Sequence, residues 1–287
     1  MRLLSRMTAF LVLAALPVLA ADDAPEKTAD EAPLKRLDAL PFRSGEKLHY
    51  TIHWGIFTVG SATMEYVGPV KRDGEDNWQV ILTAKTNSFA DAIFKVRDWN
   101  AVWVDKEFTR PLYYEKKQNE GSTHRDVVVT FDWEKNKAQY SDAGKSREPI
   151  DIEPGSWDPL GITYAVRALD LAGVTHLSLP STDGKKSVKT EIAVSGPVKV
   201  KVPAGRFEAL LLSPDTKDLG GVFKKSDKAG ISLWLSNDSR HLPLRMASKV
   251  VVGSFVAEMT SIEYSEKGGE APEKPDVPEG PEAPDDE

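Results

Sequence analysis

Residues 46–66 read Glu46-Lys47-Leu48-His49-Tyr50-Thr51-Ile52-His53-Trp54-Gly55-Ile56-Phe57-Thr58-Val59-Gly60-Ser61-Ala62-Thr63-Met64-Glu65-Tyr66. Leu48, Tyr50, Ile52 and Trp54 share one side of an extended chain, and His49, Thr51 and His53 share the other. A period of two is the pattern of a half-buried strand. Gly60, Ala62, Met64 and Tyr66 repeat it after a turn at Gly55, so residues 46–70 are predicted to form a hairpin.

The same alternation runs outward from this hairpin. Trp78, Val80, Leu82 and Ala84 line one strand face, and Arg97, Trp99, Ala101 and Trp103 line another. Further strands are predicted at Leu112–Lys117, Arg125–Trp133, His176–Leu179, Ser187–Val194, Val198–Val202, Phe207–Ser213, Ile231–Leu235, Leu242–Ser248 and Val251–Tyr264. Asp73-Gly74, Asp183-Gly184, Ala204-Gly205 and Asn237-Asp238 supply corner residues between them. Two helices interrupt the series. One is short, Ser88–Phe94, with Ser88 as its cap; the other, Asp158–Leu171, has Asp158 as N-cap, Pro159 at its first position and Gly173 past its end. The second is apolar almost all round and must pack against the sheet. The fold expected is mainly β: a curved antiparallel sheet forming a half-barrel, open barrel or sandwich, with one packed helix and one short helix.

The ends of the chain read differently. Arg2 and Arg6 precede the apolar run Ala9–Leu16 and the small-residue exit Val18-Leu19-Ala20, the pattern of a secretory signal peptide cleaved after Ala20. The run falls short of the roughly 20 residues of a bilayer span, so no transmembrane span is expected in the mature protein. Residues 21–40 read as a disordered tether, 41–265 as one β-rich domain, and 266–287 as a disordered acidic, Pro-rich tail. The net charge of -7 belongs to these flanks: the signal carries +2, the tether -3 and the tail -7, leaving the domain at +1. Nucleic acid is therefore a poor partner. The 287 residues contain no Cys, which excludes a disulfide framework, a cysteine nucleophile and a lipobox anchor; stability must come from a large core. The expected address is the periplasm of a Gram-negative-type bacterium.

Four ordered motifs resemble the bacterial DUF3108 family. They are Phe42-Arg43-Ser44-Gly45-Glu46-Lys47-Leu48-His49-Tyr50 followed by Trp54-Gly55-Ile56 and Val59-Gly60-Ser61-Ala62; Asp158-Pro159-Leu160 followed by Tyr164 and Arg167; Pro203–Phe207; and Trp234–Asp238 followed by Leu242-Pro243. The resemblance implies a β-rich exported domain. It carries over no catalytic residue.

Searching for chemistry gives mainly exclusions. His49 and His53 on one strand stand about 13 Å apart at roughly 3.3 Å per residue, too far to share one ion, so no metal site and no cofactor are expected. Gly144-Lys145-Ser146 would end a P-loop only with Gly at position 139, which is Gln139. No G-x-S-x-G elbow occurs. Asp215 and Asp218 belong to a polar loop and Asp238 to a turn, so paired carboxylates are not located. Seven Trp, seven Tyr and ten Phe form a large apolar inventory, and the inner surface of the sheet is expected to be built from bulky rings rather than reactive side chains. Candidate ligand-binding residues are Trp99 and Trp103, which would flank a shallow groove over Ala101, and Ile56 and Phe57 at the hairpin tip. The tip folds back onto the sheet in the preferred reading and forms a contact lip for lipid or protein in the other. The expected function is a non-enzymatic envelope protein that binds a lipid, lipoprotein or envelope polymer or assembles with an envelope partner. The alternative is a periplasmic hydrolase acting on glycan or ester substrates.

Overall fold

The computed structural model describes residues 34–215, 230–250 and 253–265. In chain order the elements are β1 (Glu46–Trp54), β2 (Phe57–Arg72), β3 (Glu75–Thr86), α1 (Ser88–Asp91), β4 (Arg97–Val104), β5 (Pro111–Glu120), β6 (Thr123–Asp132), β7 (Lys137–Asp142), β8 (Lys145–Ser146), β9 (Ile150–Asp151), α2 (Gly161–Arg167), β10 (His176–Thr182), β11 (Ser187–Val202), β12 (Gly205–Pro214), β13 (Gly230–Ser236), β14 (Pro243–Val250) and β15 (Gly253–Tyr264). All strands join one sheet in the order β10-β11-β12-β13-β14-β15-β1-β2-β3-β4-β5-β6-β7-β8, with β9 beside β7. Every strand pairing is antiparallel, so short turns suffice for most connections.

The sheet curls until its two edges face each other, and it stays open. The segment 152–158 lies along the gap. Its Trp157 forms a parallel bridge with Ser181 of the β10 edge, donating to the Pro180 carbonyl at 3.0 Å and accepting from the Thr182 amide at 2.9 Å. On the other side the Ile152 amide donates to the Asn136 carbonyl of the β6–β7 turn at 2.9 Å. The Asp183–Gly184 turn rests on Val129 and Tyr140 so closely that a Cβ at Gly184 would stand 2.8 Å from the Val129 side chain.

Alternation decides which residues face inward. Across β1, β2, β3, β4 and β5 the register aligns Leu48, Met64, Leu82, Asn100 and Lys116 in one row and Tyr50, Ala62, Ala84, Asp98 and Gln118 in the next. Most of these belong to the main core, together with Phe42, Tyr66, Val80, Val102, Tyr114, Val129, Trp157 and Tyr164. The helix α2 occupies the concave side. Tyr164 meets Phe42 at 5.0 Å and Tyr66 at 6.2 Å, while Val166 joins Leu169, Leu171, Leu177, Ile192, Val194, Leu212 and Leu235 in a second cluster on the far half of the sheet. The helix thus plugs the curl. Arg167, fully buried, pairs with buried Glu46 at 2.8 Å and lies 4.9 Å from the rings of both Phe42 and Tyr164. An ion pair taken out of water to this extent depends on its partner for solvation.

Several boundaries differ from the sequence reading. The long helix shrinks from Asp158–Leu171 to Gly161–Arg167 because Ala168 and Asp170 pair instead with the N-terminal segment: the Leu37 amide donates to the Ala168 carbonyl, and the Asp170 amide to the Lys35 carbonyl. The same pairing attaches residues 34–40, which were read as tether, to the domain, with Leu34 and Leu40 packed on the two cores. Asp158 does cap the helix, from a position further out, accepting from the Leu160 and Gly161 amides at 2.9 Å each. The cap of α1 is Asn87 rather than Ser88, and it accepts from the Ala90 amide at 3.0 Å. Ser187–Val194 and Val198–Val202 are one strand, β11, with a register shift between Ser195 and Val198. Strands β7, β8 and β9 have weak alternation and were not read. The expected signal peptide, the acidic tail, Asp218 and Val251 lie outside the described residues.

Candidate functional site

Two features share one end of the open barrel. The first is the β1–β2 turn. Gly55 adopts φ +57 there, its amide donates to the Ser254 carbonyl of β15 at 3.2 Å, and a Cβ built on it would meet nothing within 4 Å. Ile56 is 91% exposed and Phe57 54%. The start of α1 is tied to this turn: the Asn87 amide donates to the Val59 carbonyl at 2.9 Å and its side-chain amide to the Thr58 carbonyl at 2.7 Å. This brings Phe89, 55% exposed, to 6.1 Å from Phe57, with Ile93, 48% exposed, one turn further on. Four large apolar side chains from two chain segments therefore form one exposed tip. The tip does not fold back onto the sheet: Ile56, Phe57, Phe89 and Ile93 all keep about half or more of their surface exposed.

Beneath it lies a polar cluster on the inner face. Asp98 on β4 and Lys116, Gln118 and Glu120 on β5 are all buried; Lys116 continues the row of Leu48, Asp98 that of Tyr50, and Glu120, opposite Val96, lies one row further towards the tip. Asp98 accepts from the Asn119 amide at 2.8 Å and is hydrogen-bonded to Glu120. Burial first, and then the adjacent Asp98 charge, push the Glu120 carboxyl up to about 8. Asp98 is also raised, chiefly by burial. Both carboxyls are thus pushed toward their protonated forms, Glu120 the further, each acting on the other. Burial lowers Lys116 from the ordinary lysine value, and the charges of Glu120 and Asp98 oppose that. Across the curl, Asp183 is raised and Lys185 lowered, each mainly by burial.

This cluster corrects the expectation that bulky rings alone build the inner surface. Along β4 the inward residues are Asp98, Asn100, Val102 and Val104. Trp99, Ala101 and Trp103 point outward, into a separate cluster with Val67 and Ile81. Trp99 is 2% and Trp103 7% exposed, and the Arg72 guanidinium covers Trp103 at 4.7 Å and Tyr113 at 3.6 Å. The two rings are thus buried on the convex side and flank no groove. Sequence reasoning placed them inside because both faces of residues 101–104 are apolar. The signal for the acid pair was present in the alternation of Lys116, Gln118 and Glu120 along β5, but only cross-strand register sets them beside Asp98. The histidines of β1 lie on the outer face, His49 at 3.2 Å from Glu263 and His53 at 3.9 Å from Glu258. Among the described residues no group of three His, Asp or Glu is arranged to hold a metal ion, and no helix is long and apolar enough to cross a membrane.

The model of a family described as a protein of unknown function, DUF3108, matches residues 49–260. The chain belongs to the DUF3108 family. Among solved structures it is similar to a β-barrel-like protein of the DUF1849 domain of unknown function from Brucella abortus, with a TM-score of 0.52 and 9% identity over 78% of this chain and 99% of that one. At that identity the likeness concerns the fold. No curated protein matches the chain. The motifs that carry the DUF3108 resemblance are used structurally here. Asp158 and Arg167 hold the plug, and in the Trp234–Pro243 motif the Ser236 hydroxyl donates to Asp238 at 2.7 Å and accepts from the Leu242 amide at 2.8 Å.

Proposed function

We propose that this chain is a non-enzymatic protein of the bacterial envelope that binds a hydrophobic envelope component through the tip formed by Ile56, Phe57, Phe89 and Ile93. The observation that carries this reading is their joint exposure at one end of a domain whose other large apolar side chains are mostly buried. Covering a side chain of this size is worth about 1.5–3 kcal/mol when it is fully exposed beforehand, so four partly exposed ones supply a weak, reversible contact, of millimolar scale on their own. The signal-like N-terminus and the near-neutral domain agree with a protein that works after export.

The buried acids do not favour a glycosidase. Asp98 and Glu120 are both buried on the inner face, whereas a glycosidase presents its two carboxyls to a bound sugar.

Titration with dodecylphosphocholine micelles, followed by tryptophan fluorescence, tests the proposal. The double variant Phe57→Asp, Phe89→Asp is expected to lose at least about tenfold in affinity with an unchanged thermal midpoint, since both rings are more than half exposed. Wild-type affinity in that variant would remove the basis for the reading.

A further inference from the structure

The apolar tip stands among basic side chains. Lys85 pairs with Ser61 at the end of β3, Lys95 follows Phe94, and Lys249 of β14 pairs with Ser254, whose carbonyl holds Gly55. All three lysines are exposed, and among the described residues none has a carboxylate within 4 Å. Two acids at this end are already engaged. Asp91 is paired with Arg97 at 2.6 Å, which holds its carboxyl down at about 2, and Glu258 is paired with Arg245 at 2.5 Å.

From this arrangement we infer that the tip docks on an anionic lipid leaflet, its four apolar side chains entering the headgroup boundary while Lys85, Lys95 and Lys249 meet the lipid phosphates. The inference rests on the hydrophobic-binding reading above and specifies its ligand. Three features select a bilayer surface. The tip is convex, made of a hairpin turn and one short helical turn, so it penetrates a soft interface instead of receiving a partner. Its apolar centre and cationic margin match the two layers of a leaflet, acyl boundary below and phosphate above. A second copy of the chain is a poor occupant, because joining two such tips would bring three unpaired ammonium groups against three more. On an anionic surface each base is worth roughly fivefold in affinity, so three supply on the order of a hundredfold.

The absence of cysteine makes the test clean. Full-length protein carrying Ile56→Cys, labelled there with an environment-sensitive dye, is titrated with vesicles of phosphatidylcholine alone and with vesicles containing about a third phosphatidylglycerol. The dye reports the tip itself, so contact made by the N-terminus does not shift it. The expected result is a blue shift on the anionic vesicles, at least about tenfold tighter than on the neutral ones, weakened by salt and by Lys85→Glu with Lys95→Glu in the same labelled chain. Equal response on both vesicles would overturn the anionic leaflet and leave the hydrophobic reading standing. So would a dye that stays polar on both while the micelle titration still depends on Phe57. Silence in both experiments would remove both readings, and a blue shift that grows with protein concentration without lipid would assign the tip to self-association.

Discussion

Glu120 shows how a single side chain can set a pH dependence without facing solvent. Its carboxyl ionises near 4.5 when hydrated and near 8 in the folded chain, and the fully buried Asp158 moves in the same sense, from 3.8 to about 7. Burial is the first cause in both. A carboxyl raised on folding binds its proton more tightly in the folded state. Its favourable contribution is therefore complete below the unfolded value and is lost as pH rises through the folded one. Between about pH 5 and pH 9 the midpoint of urea unfolding is expected to fall, with a loss on the order of 2–4 kcal/mol. Lys116, lowered by burial, carries the opposite sign, so the decisive comparison is wild type against Glu120→Gln. The amide keeps the shape and removes the titration, and its stability should change less with pH. Equal slopes for the two proteins would show that Glu120 does not titrate on folding.

At the level of elements, the tip owes its position to how closely β2 and β3 run together. Gly60 faces the inner surface where β2 meets the end of β3, and a Cβ built on it would lie 2.3 Å from the Lys85 carbonyl oxygen. That oxygen belongs to the backbone and cannot swing away. Gly60→Ala must push β3, and with it the Asn87 anchor of α1, off the hairpin. A cost of about 2 kcal/mol or more is expected in chemical denaturation. Gly230→Ala is the matching control, since a Cβ there meets nothing within 4 Å, and its cost should stay within a few tenths of a kcal/mol. The short helix α2 shows the complementary effect. Its apolar pattern extends past Leu169, yet the helix ends at Arg167: the Ala168 and Leu169 amides close its last turn, while the Ala168 carbonyl and the Asp170 amide bond to an adjacent extended segment.

For the whole molecule the open seam is the weak line. No strand pair joins β10 to β7, and the edges are held by the Trp157 bridge to Ser181, the Ile152–Asn136 bond and the Asp183–Gly184 turn seated on Val129 and Tyr140. Trp157 also packs its ring 5.8 Å from Phe108. Trp157→Ala should cost about 3–5 kcal/mol and open this line first. Hydrogen exchange is expected to speed up at the Thr182 amide well before the amides of β1 and β2. Uniform acceleration across the sheet would mean that the seam and the sheet unfold as one unit.

The period-two pattern of residues 46–66 was enough to establish an antiparallel, β-rich domain, because alternation follows from strand geometry and is carried by consecutive residues. Turn residues such as Asp73-Gly74 and Asp183-Gly184 were legible for the same local reason: Asp73, Gly74 and Gly184 take the positive φ those corners require. The faces of β4 were not legible, since Trp99, Val102 and Trp103 are all apolar and only packing shows which side is concave. The acid pair was hidden because Asp98 and Glu120 meet through register, 22 positions apart in sequence. The exposed tip was readable as two apolar residues in a turn, but its extension to Phe89 and Ile93 required α1 to be tied to β2 by Asn87. The sequence alone determined most of the strands and the sheet class; the tertiary structure decided the length of the helix, which face is inside, which charges are dehydrated and which apolar side chains remain uncovered, because those depend on contacts between residues distant along the chain.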